Sequence, residues 1–391
     1  MRFRPFLRRI VTFTLPAVLL VIAVSVSGIQ NTPSNLFDPV YQMYQYVKSY
    51  FYEPDRIDDQ EALYGAMKGI VEHLDDPYTV FMEPTEVTQF EESLAGEFSG
   101  VGIEITIQDD ILTVITPLIG SPAEAAGMLA GDKILSIDGE STEGETLSQS
   151  AMRIRGEIGT TVVLTVEHED GTIEDISIVR DIITVEAVRH EPYQDGEIGY
   201  IRLMRFEDDT TRQLDEALGT FDLQNLTGLI LDLRSNAGGL MNEAISVANR
   251  FVDEGVVLIT QDRLSNQRKY YARGNNIPNF PVAILINRGT ASASEIAAGA
   301  IRDNNMGILI GQKSFGKGVF QQLIEFNDGS ALKITTGEYY TPSGSVVNGV
   351  GLTPDIEVDP EEGDPIETAI QWINEHAGVV MPMTIGAEST P

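Results

Sequence analysis

Serines and small residues fill one short segment of the chain in a way that suits nucleophilic chemistry. Ser292 and Ser294 lie in segment 289–295, GTASASE, between a buried-strand pattern and an Ala-rich helical pattern. Small residues allow a serine to occupy a tight strand-to-helix turn with its hydroxyl exposed. The amide of Ala293 would then face an oxyanion at the helix start. Taken alone, Ser292 and Ser294 are more typical of ordinary helix N-caps.

A lysine between two glycines is a candidate general base for the serine. Lys317 lies between Gly316 and Gly318, and Gln321 follows on a predicted strand. Such a lysine is ordinarily a solvated surface charge, and the phosphate-loop pattern G-x-x-x-x-G-K-[ST] fails because Gly318 follows it. Burial would lower the pKa of this lysine, so that its neutral amine could take a proton from a serine. The amide oxygen of Gln321 could orient the amine.

A glycine-rich turn supplies candidate hydrogen-bond donors. Segment 231–240, LDLRSNAGGL, ends a predicted strand and begins a helix. Exposed amides at Gly238 and Gly239 are donors of the kind that an oxyanion hole requires. An ordinary turn between a strand and a helix is the alternative for this segment.

Together the three segments resemble the carboxyl-terminal processing peptidases, a family of tail-specific Ser/Lys proteases with a PDZ domain before the catalytic core. The similarity extends over about residues 36–359 and includes motifs at 74–79, 98–105, 127–139, 339–344 and 349–356. It implies the following site residues: Ser292 as nucleophile, Lys317 as general base, Gln321 as supporting residue, and Gly238 (or its neighbour Gly239) with Ala293 as oxyanion donors.

The resemblance implies a mixed α/β and β multidomain fold with a crotonase-like ββα protease core. The expected parts are a leader at 1–30, an N-terminal helical region at 31–95, a PDZ domain at 96–180, a catalytic core at 181–375 and a flexible tail at 376–391. Helical periodicity predicts helices over about 38–51, 58–74, 84–94, 147–154, 210–218, 241–251 and 293–302. Apolar runs predict strands over 161–167, 198–203, 228–232, 256–260 and 282–286.

A second glycine-containing turn opens the expected PDZ domain. Its residues are Gly100, Val101, Gly102 and Ile103. In such domains free amides of a turn bind a terminal carboxylate, and the peptide adds as a strand beside it. We expect a preference for apolar terminal residues, because Ile103 and Ile105 would line the pocket. A plain hairpin entry is the alternative.

The first thirty residues indicate export. Arg2, Arg4, Arg8 and Arg9 precede an uncharged apolar run over about 10–26, which is as long as a membrane-spanning helix needs. A membrane anchor and a cleaved signal peptide are both compatible with this pattern, and the poor match to A-x-A at 25–28 favours the anchor. Both place the rest of the chain outside the cytoplasm.

Composition excludes several functions. The net charge of the 391 residues is 26 − 59 = −33, which repels phosphate backbones, so we expect no nucleic-acid partner. With no cysteine, four histidines and neither G-x-S-x-G nor H-E-x-x-H, the chain offers no Cys nucleophile, Ser-His-Asp triad or zinc-protease motif, and we expect no cofactor or metal.

The expected partners are proteins or peptides with free C-termini, the membrane through the leader, and a second copy of the chain. The last of these rests on the aromatic residues crowded into 41–52, which could instead pack within the chain. The main alternative function is a PDZ adaptor without catalytic activity. Retention of both Ser292 and Lys317 argues against it.

Overall fold

The computed structural model describes residues 36–378 apart from 109, 119, 185, 275–279 and 360. The expected leader, the first five residues of the expected N-terminal helical region (31–35) and the expected tail from 379 onwards lie outside the described residues. The α-helices are α1 (Asp38–Tyr50), α2 (Asp59–Glu72), α3 (Pro84–Ala95), α4 (Pro122–Ala125), α5 (Leu147–Ile154), α6 (Thr210–Gly219), α7 (Met241–Ala248), α8 (Ala293–Asp303) and α9 (Pro365–Glu375).

Strands fall into four sheets. In chain order they are β1 (Val80–Met82), β2 (Glu97–Gly100), β3 (Ile103–Gln108), β4 (Ile111–Pro117), β5 (Lys133–Ile137), β6 (Glu140–Ser141), β7 (Thr161–Glu167), β8 (Ile173–Val179), β9 (Asp181–Thr184), β10 (Val188–Tyr193), β11 (Ile198–Leu203), β12 (Gly228–Asp232), β13 (Val256–Asp262), β14 (Gln267–Tyr271), β15 (Val282–Ile286), β16 (Ile308–Gly311), β17 (Val319–Glu325), β18 (Ala331–Tyr340) and β19 (Ile356–Glu357).

The described residues up to Met67 and those from Lys68 onwards belong to two compact units. In the first unit, Phe37 is the N-cap of α1, and its side chain makes no capping bond. Tyr41, Tyr46 and Tyr50 of this helix are largely exposed. The second-copy partner remains a prediction. Within the stretch that the structure describes, no helix combines the length and apolar character needed to cross a membrane.

A small antiparallel module lies within the segment predicted as a PDZ domain. Its sheet has the order β3-β4-β5-β7-β8, with β6 paired to β5, and its own core includes Leu112, Ile134 and Leu164. The tight turn between β5 and β6 puts Asp138 and Gly139 at positive φ, as a two-residue Asp-Gly hairpin requires. Strand β2 pairs with β9, so the two ends of the module lie side by side.

The α/β part is built on a second sheet, in the order β10-β11-β12-β15-β16-β19. From β11 onwards neighbouring strands are parallel. Every residue of β12 and β15 is buried, because one core cluster with α7 and α8 covers one face and a second cluster with α9 covers the other. Strands covered on both faces have continuous apolar sequences rather than alternating ones.

A third sheet lies next to the predicted lysine segment and contains β17, the strand with Gln321. Strand β18 pairs antiparallel with β1, β13 and β17. Alternate residues of a strand point to the same face, so Lys333 and Thr335 share one side of this sheet. An irregularity in the pairing with β17, where Phe320 and Gln321 lie opposite Gly337 and Thr335, interrupts this alternation before Tyr339. The helix predicted over 241–251 is shorter than expected, since α7 ends at Ala248 and Asn249 caps it. The other predicted helices and strands match the observed ones to within two residues at each end.

Candidate active site

Ser292 occupies a strained turn directly before α8. Its φ of 55° and ψ of −118° lie in a region that residues with a side chain rarely adopt. Such a conformation costs about 1–3 kcal/mol and persists only where the surroundings enforce it. The predicted strand-to-helix turn is therefore present, and it departs from an ordinary N-cap in its backbone.

Neighbouring parallel strands bring two of the three predicted segments together. Strands β12 and β15 end at the same edge, so the loop with Gly238 and the loop with Ser292 are adjacent. The carbonyl oxygen of Asn236 accepts hydrogen bonds from the Ala291 amide at 3.0 Å and from the Ser294 hydroxyl at 2.9 Å. Ser294 is thus a structural residue that joins these loops.

The lysine turn is held from the other side by residues 347–352. Gly316 accepts a hydrogen bond from the Gly349 amide at 2.9 Å, and the Ser314 amide donates to the Leu352 carbonyl at 3.0 Å. A Cβ on Gly351 would lie 2.5 Å from the Ser314 oxygen. Gly351 also has a φ of +73°, so glycine is required there for both reasons.

Glu295 joins the serine turn to the lysine turn. One of its carboxylate oxygens accepts from the Ser292 amide and the Lys317 amide, both at 2.9 Å. The other accepts from the Ser314 hydroxyl at 2.6 Å and the Gly316 amide at 2.8 Å. Burial raises the pKa of this carboxyl, while its hydrogen bonds act to lower it. One side chain therefore fixes the backbone of both catalytic candidates.

Tyr339 makes a second connection between the same turns. Its hydroxyl lies 3.1 Å from the carbonyl oxygen of Ser292 and at hydrogen-bond distance from that of Lys317. Burial, together with the charge of Glu295, raises the pKa of Tyr339 well above its ordinary value. The hydroxyl consequently stays protonated and can donate.

The Lys317 amine lies over the ring of Tyr78, with Nζ 4.7 Å from the ring centroid. Among the described residues no hydrogen bond joins this amine to the hydroxyl of Ser292. Burial lowers the pKa of Lys317, and the charge of Lys333 lowers it further, whereas the charge of Asp76 raises it. The lysine thus has a reduced basicity, and its amine contacts the Tyr78 ring.

Gln321 lies on β17 and faces β18. Its amide nitrogen donates to the Thr335 hydroxyl at 3.2 Å. Its amide oxygen has no hydrogen bond within the described part of the chain, so it remains available to a lysine amine. The predicted contact between Gln321 and Lys317 is not made in this arrangement.

Of the predicted oxyanion donors, the Gly238 amide already makes a hydrogen bond within the chain. It donates to the Asn236 side-chain oxygen at 2.9 Å. The amides of Gly239 and Ala293 donate to no described residue. A Cβ on Gly238 would lie 2.8 Å from the Cβ of Ser292, so this loop packs directly on the serine. In this arrangement Gly239, the neighbouring candidate, is the available donor.

One cavity of about 320 Å³ collects these groups. Ser292, Lys317, Gln321, Ala293 and Gly239 all line it. Phe90 and Leu94 of α3, along with Lys333 of β18, complete its wall. A peptide entering the cavity would meet the serine, the lysine and the free amides together.

The predicted carboxylate-binding turn lies between β2 and β3. Its carbonyls are used inside the module: Val101 accepts from Ala123 and Gly102 from Leu118, both at 2.9 Å. The amides of Val101 and Gly102 donate to no described residue. Ile103 and Ile105 pack at the edge of the module core.

Sequence reasoning missed several residues that shape the site. Glu295 was part of segment 289–295, but nothing local marks its burial. Tyr78 lies in the motif at 74–79, in the turn before β1, and Lys333 lies on β18 of the third sheet. No group of three or more His, Asp or Glu side chains placed to hold a metal ion occurs in the part of the chain that the structure describes.

Three protein-family models match parts of this chain. Residues 197–358 match the family model of peptidase family S41, residues 113–168 a PDZ domain, and residues 24–85 the N-terminal domain of the activating protease CtpB.

The similar proteins are named as C-terminal processing proteases. A carboxy-terminal-processing protease of Bartonella bacilliformis is 41% identical over 312 residues, covering 77% of this chain and 70% of the relative. The carboxy-terminal processing protease CtpA of Bacillus subtilis is 34% identical over 84% of this chain and 70% of its own. A solved photosystem II D1 C-terminal processing protease aligns with a TM-score of 0.51 at 32% identity, covering 82% of this chain and 87% of that structure.

Proposed function

Because the chain belongs to peptidase family S41, we propose that it hydrolyses peptide bonds with Ser292 as nucleophile and Lys317 as general base. The observation that carries this proposal is the carboxylate of Glu295, which bonds the amides of both residues. A buried side chain that ties a strained serine turn to a glycine-flanked lysine is best explained by the need to keep those two residues in register.

In the proposed reaction the neutral Lys317 amine takes the hydroxyl proton of Ser292 as the oxygen attacks the substrate carbonyl carbon. The amides of Ala293 and Gly239 receive the resulting oxyanion, and Gly238 joins them if its bond to Asn236 opens. The tetrahedral intermediate collapses to an acyl-enzyme, and the lysine returns its proton to the leaving amine. Water, deprotonated by the same amine, then releases the new C-terminus.

This scheme requires the Lys317 amine to form a hydrogen bond with the Ser292 hydroxyl, which it does not make within the described residues. The Tyr78 ring, which the amine contacts, attracts an ammonium more than a neutral amine, and such an interaction contributes about 0.5–2 kcal/mol. Loss of the proton therefore weakens the contact with the ring and leaves the amine freer to bind the hydroxyl. The backbone of Lys317 need not move, because Glu295 and Tyr339 fix it.

We further propose that the PDZ module selects substrates by a free C-terminal carboxylate. The unused amides of Val101 and Gly102 support this, because two adjacent donors suit a carboxylate. Ile103 and Ile105 would provide the apolar side of the pocket. The alternative is an adaptor that binds C-termini without cleaving them.

A matched pair of peptides tests selection and cleavage together. We expect a peptide with an apolar C-terminal residue and a free carboxylate to be cleaved at least about tenfold faster than its C-terminal amide, equivalent to 1.4 kcal/mol. Hydrogen bonds to a charged group contribute about 1.5–3 kcal/mol each, so the loss of one such bond is enough to account for the difference. Equal rates would exclude carboxylate binding, and binding without cleavage would favour the adaptor.

We propose an extracytoplasmic location, with the leader either anchoring the chain or removed. The basis is the four arginines before the apolar run at 10–26. Protease added to intact cells, or to spheroplasts where an outer membrane is present, should digest residues 36–378. Protection in both preparations, with digestion only after lysis, would contradict this orientation. N-terminal sequencing of the mature protein distinguishes an anchor from a cleaved signal.

A further inference from the structure

The cavity that holds Lys317 contains a second lysine. Lys333 lies on β18, opposite Leu323 of β17 and Val80 of β1. Its side chain is half-buried, and its Nζ lies 5.2 Å from the centroid of the Phe90 ring. Throughout the described ranges no carboxylate forms an ion pair with it. Its ammonium is thus held beside an aromatic face without a counter-ion.

Other lysines of the same chain do form ion pairs with carboxylates. Lys68 pairs with Glu83 at 2.7 Å, and Lys133 pairs with Glu167 at 2.9 Å. In a chain with 59 acidic residues against 26 basic ones, carboxylates are plentiful. A half-buried lysine without a counter-ion, in the same cavity as a candidate base, therefore calls for an explanation.

We propose that Lys333 is a positioning residue for the reaction: its ammonium, in the same cavity, keeps the Lys317 amine uncharged. This inference rests on the proposed function of Lys317. Two ammonium groups in a partly desolvated cavity repel each other, so protonation of one opposes protonation of the other. A neighbouring cation is a known means of activating a lysine.

The charged groups around Lys317 act on its pKa in opposite directions. Asp76 opposes Lys333, because its negative charge favours the protonated amine. Tyr78 contacts the amine through its ring, while Glu295 and Tyr339 contact only the backbone of Lys317. Burial lowers the pKa of Lys333 as well as that of Lys317. Lys333 is therefore the cationic neighbour that acts against protonation of the base.

The test is the pH profile of kcat/KM for wild type, Lys333→Met and Lys333→Arg. Removing a positive neighbour raises the pKa of Lys317, so less neutral amine is present at any given pH. We expect the acid limb of Lys333→Met to move upward by about one pH unit, with an approximately tenfold loss on that limb and recovery at alkaline pH. Lys333→Arg keeps the charge and should keep the wild-type limb.

Each other outcome overturns the inference. If the acid limb of the pH profile of Lys333→Met stays at the wild-type position while KM rises, Lys333 contacts the substrate instead. Loss at every pH in a folded protein, or an equal shift in Lys333→Arg, would exclude its charge as the cause. Thermal unfolding is followed in parallel, and Lys333→Gln replaces Lys333→Met if the latter fails to fold. Activity that survives Lys317→Ala would instead refute the proposed function, so the two failures are distinguishable.

Discussion

Replacing Lys317 by alanine should lower kcat/KM for an unstructured protein substrate by on the order of 10⁴-fold or more, and Ser292→Ala should do the same. The two residues share one proton transfer, so loss of either removes the whole nucleophilic step. The double variant should for that reason be little worse than either single variant, as is found when catalytic groups act as a unit. Fragment release measured over time gives the rates.

The chain provides a matched control for the lysine. Lys313 is exposed and lies four residues upstream in the same connection between β16 and β17. Lys313→Ala should leave the rate unchanged. Gln321→Ala should be milder than either dyad variant, because it removes only an orienting group. Proteolysis by Lys317→Ala at the wild-type rate would refute the assignment of the base.

Glu295→Gln should reduce activity by on the order of 100-fold and destabilise the folded protein. Each carboxylate oxygen accepts two hydrogen bonds, so the NH₂ group of the new amide faces either the amides of Ser292 and Lys317 or the Gly316 amide and the Ser314 hydroxyl. In the first orientation both donors lose their acceptor, and in the second the Gly316 amide does, because the hydroxyl can turn and accept. Each donor left without an acceptor costs about 1–3 kcal/mol, giving a loss of about 1–6 kcal/mol in the free energy of unfolding. Misplacement of catalytic groups by about 1 Å is enough for a 100-fold loss of rate.

Glu367 is the control for this substitution. It occupies the third position of α9, as Glu295 does in α8, but its side chain is exposed. Glu367→Gln should leave both activity and the midpoint of chemical unfolding close to wild type. If Glu295→Gln behaved in the same way, the connection between the serine and lysine turns would not matter for catalysis.

Local patterns predicted most of the scaffold. Strands β12 and β15 followed from their continuous apolar runs, and α8 from small residues and alanines after a serine. Patterns of this kind report burial and periodicity within one element, so they place each catalytic segment on its own turn. The pairing of Ser292 with Lys317 came from resemblance to a family, since nothing local joins residues that are 25 positions apart.

Contacts between distant segments were not predictable in this way. The burial of Glu295 depends on loops that come from the ends of different strands. Tyr78 comes from the turn before β1 and Lys333 from β18, and these two paired strands are far apart in the chain. The choice between Gly238 and Gly239 likewise depends on where the Asn236 side chain turns. Such features follow from tertiary packing, which no spacing in the sequence encodes.

The docking of the Gly316–Gly318 turn on residues 347–352 has a consequence for biosynthesis. A ribosome makes the serine turn first, then the lysine turn, and only afterwards the segment that accepts and donates the anchoring hydrogen bonds. Until that late segment has emerged, Lys317 lacks one of the supports that hold its backbone beside Ser292. If Lys317 is the base that we propose, the chain should gain its full proteolytic activity only late in its synthesis, once residues 347–352 have packed on the lysine turn.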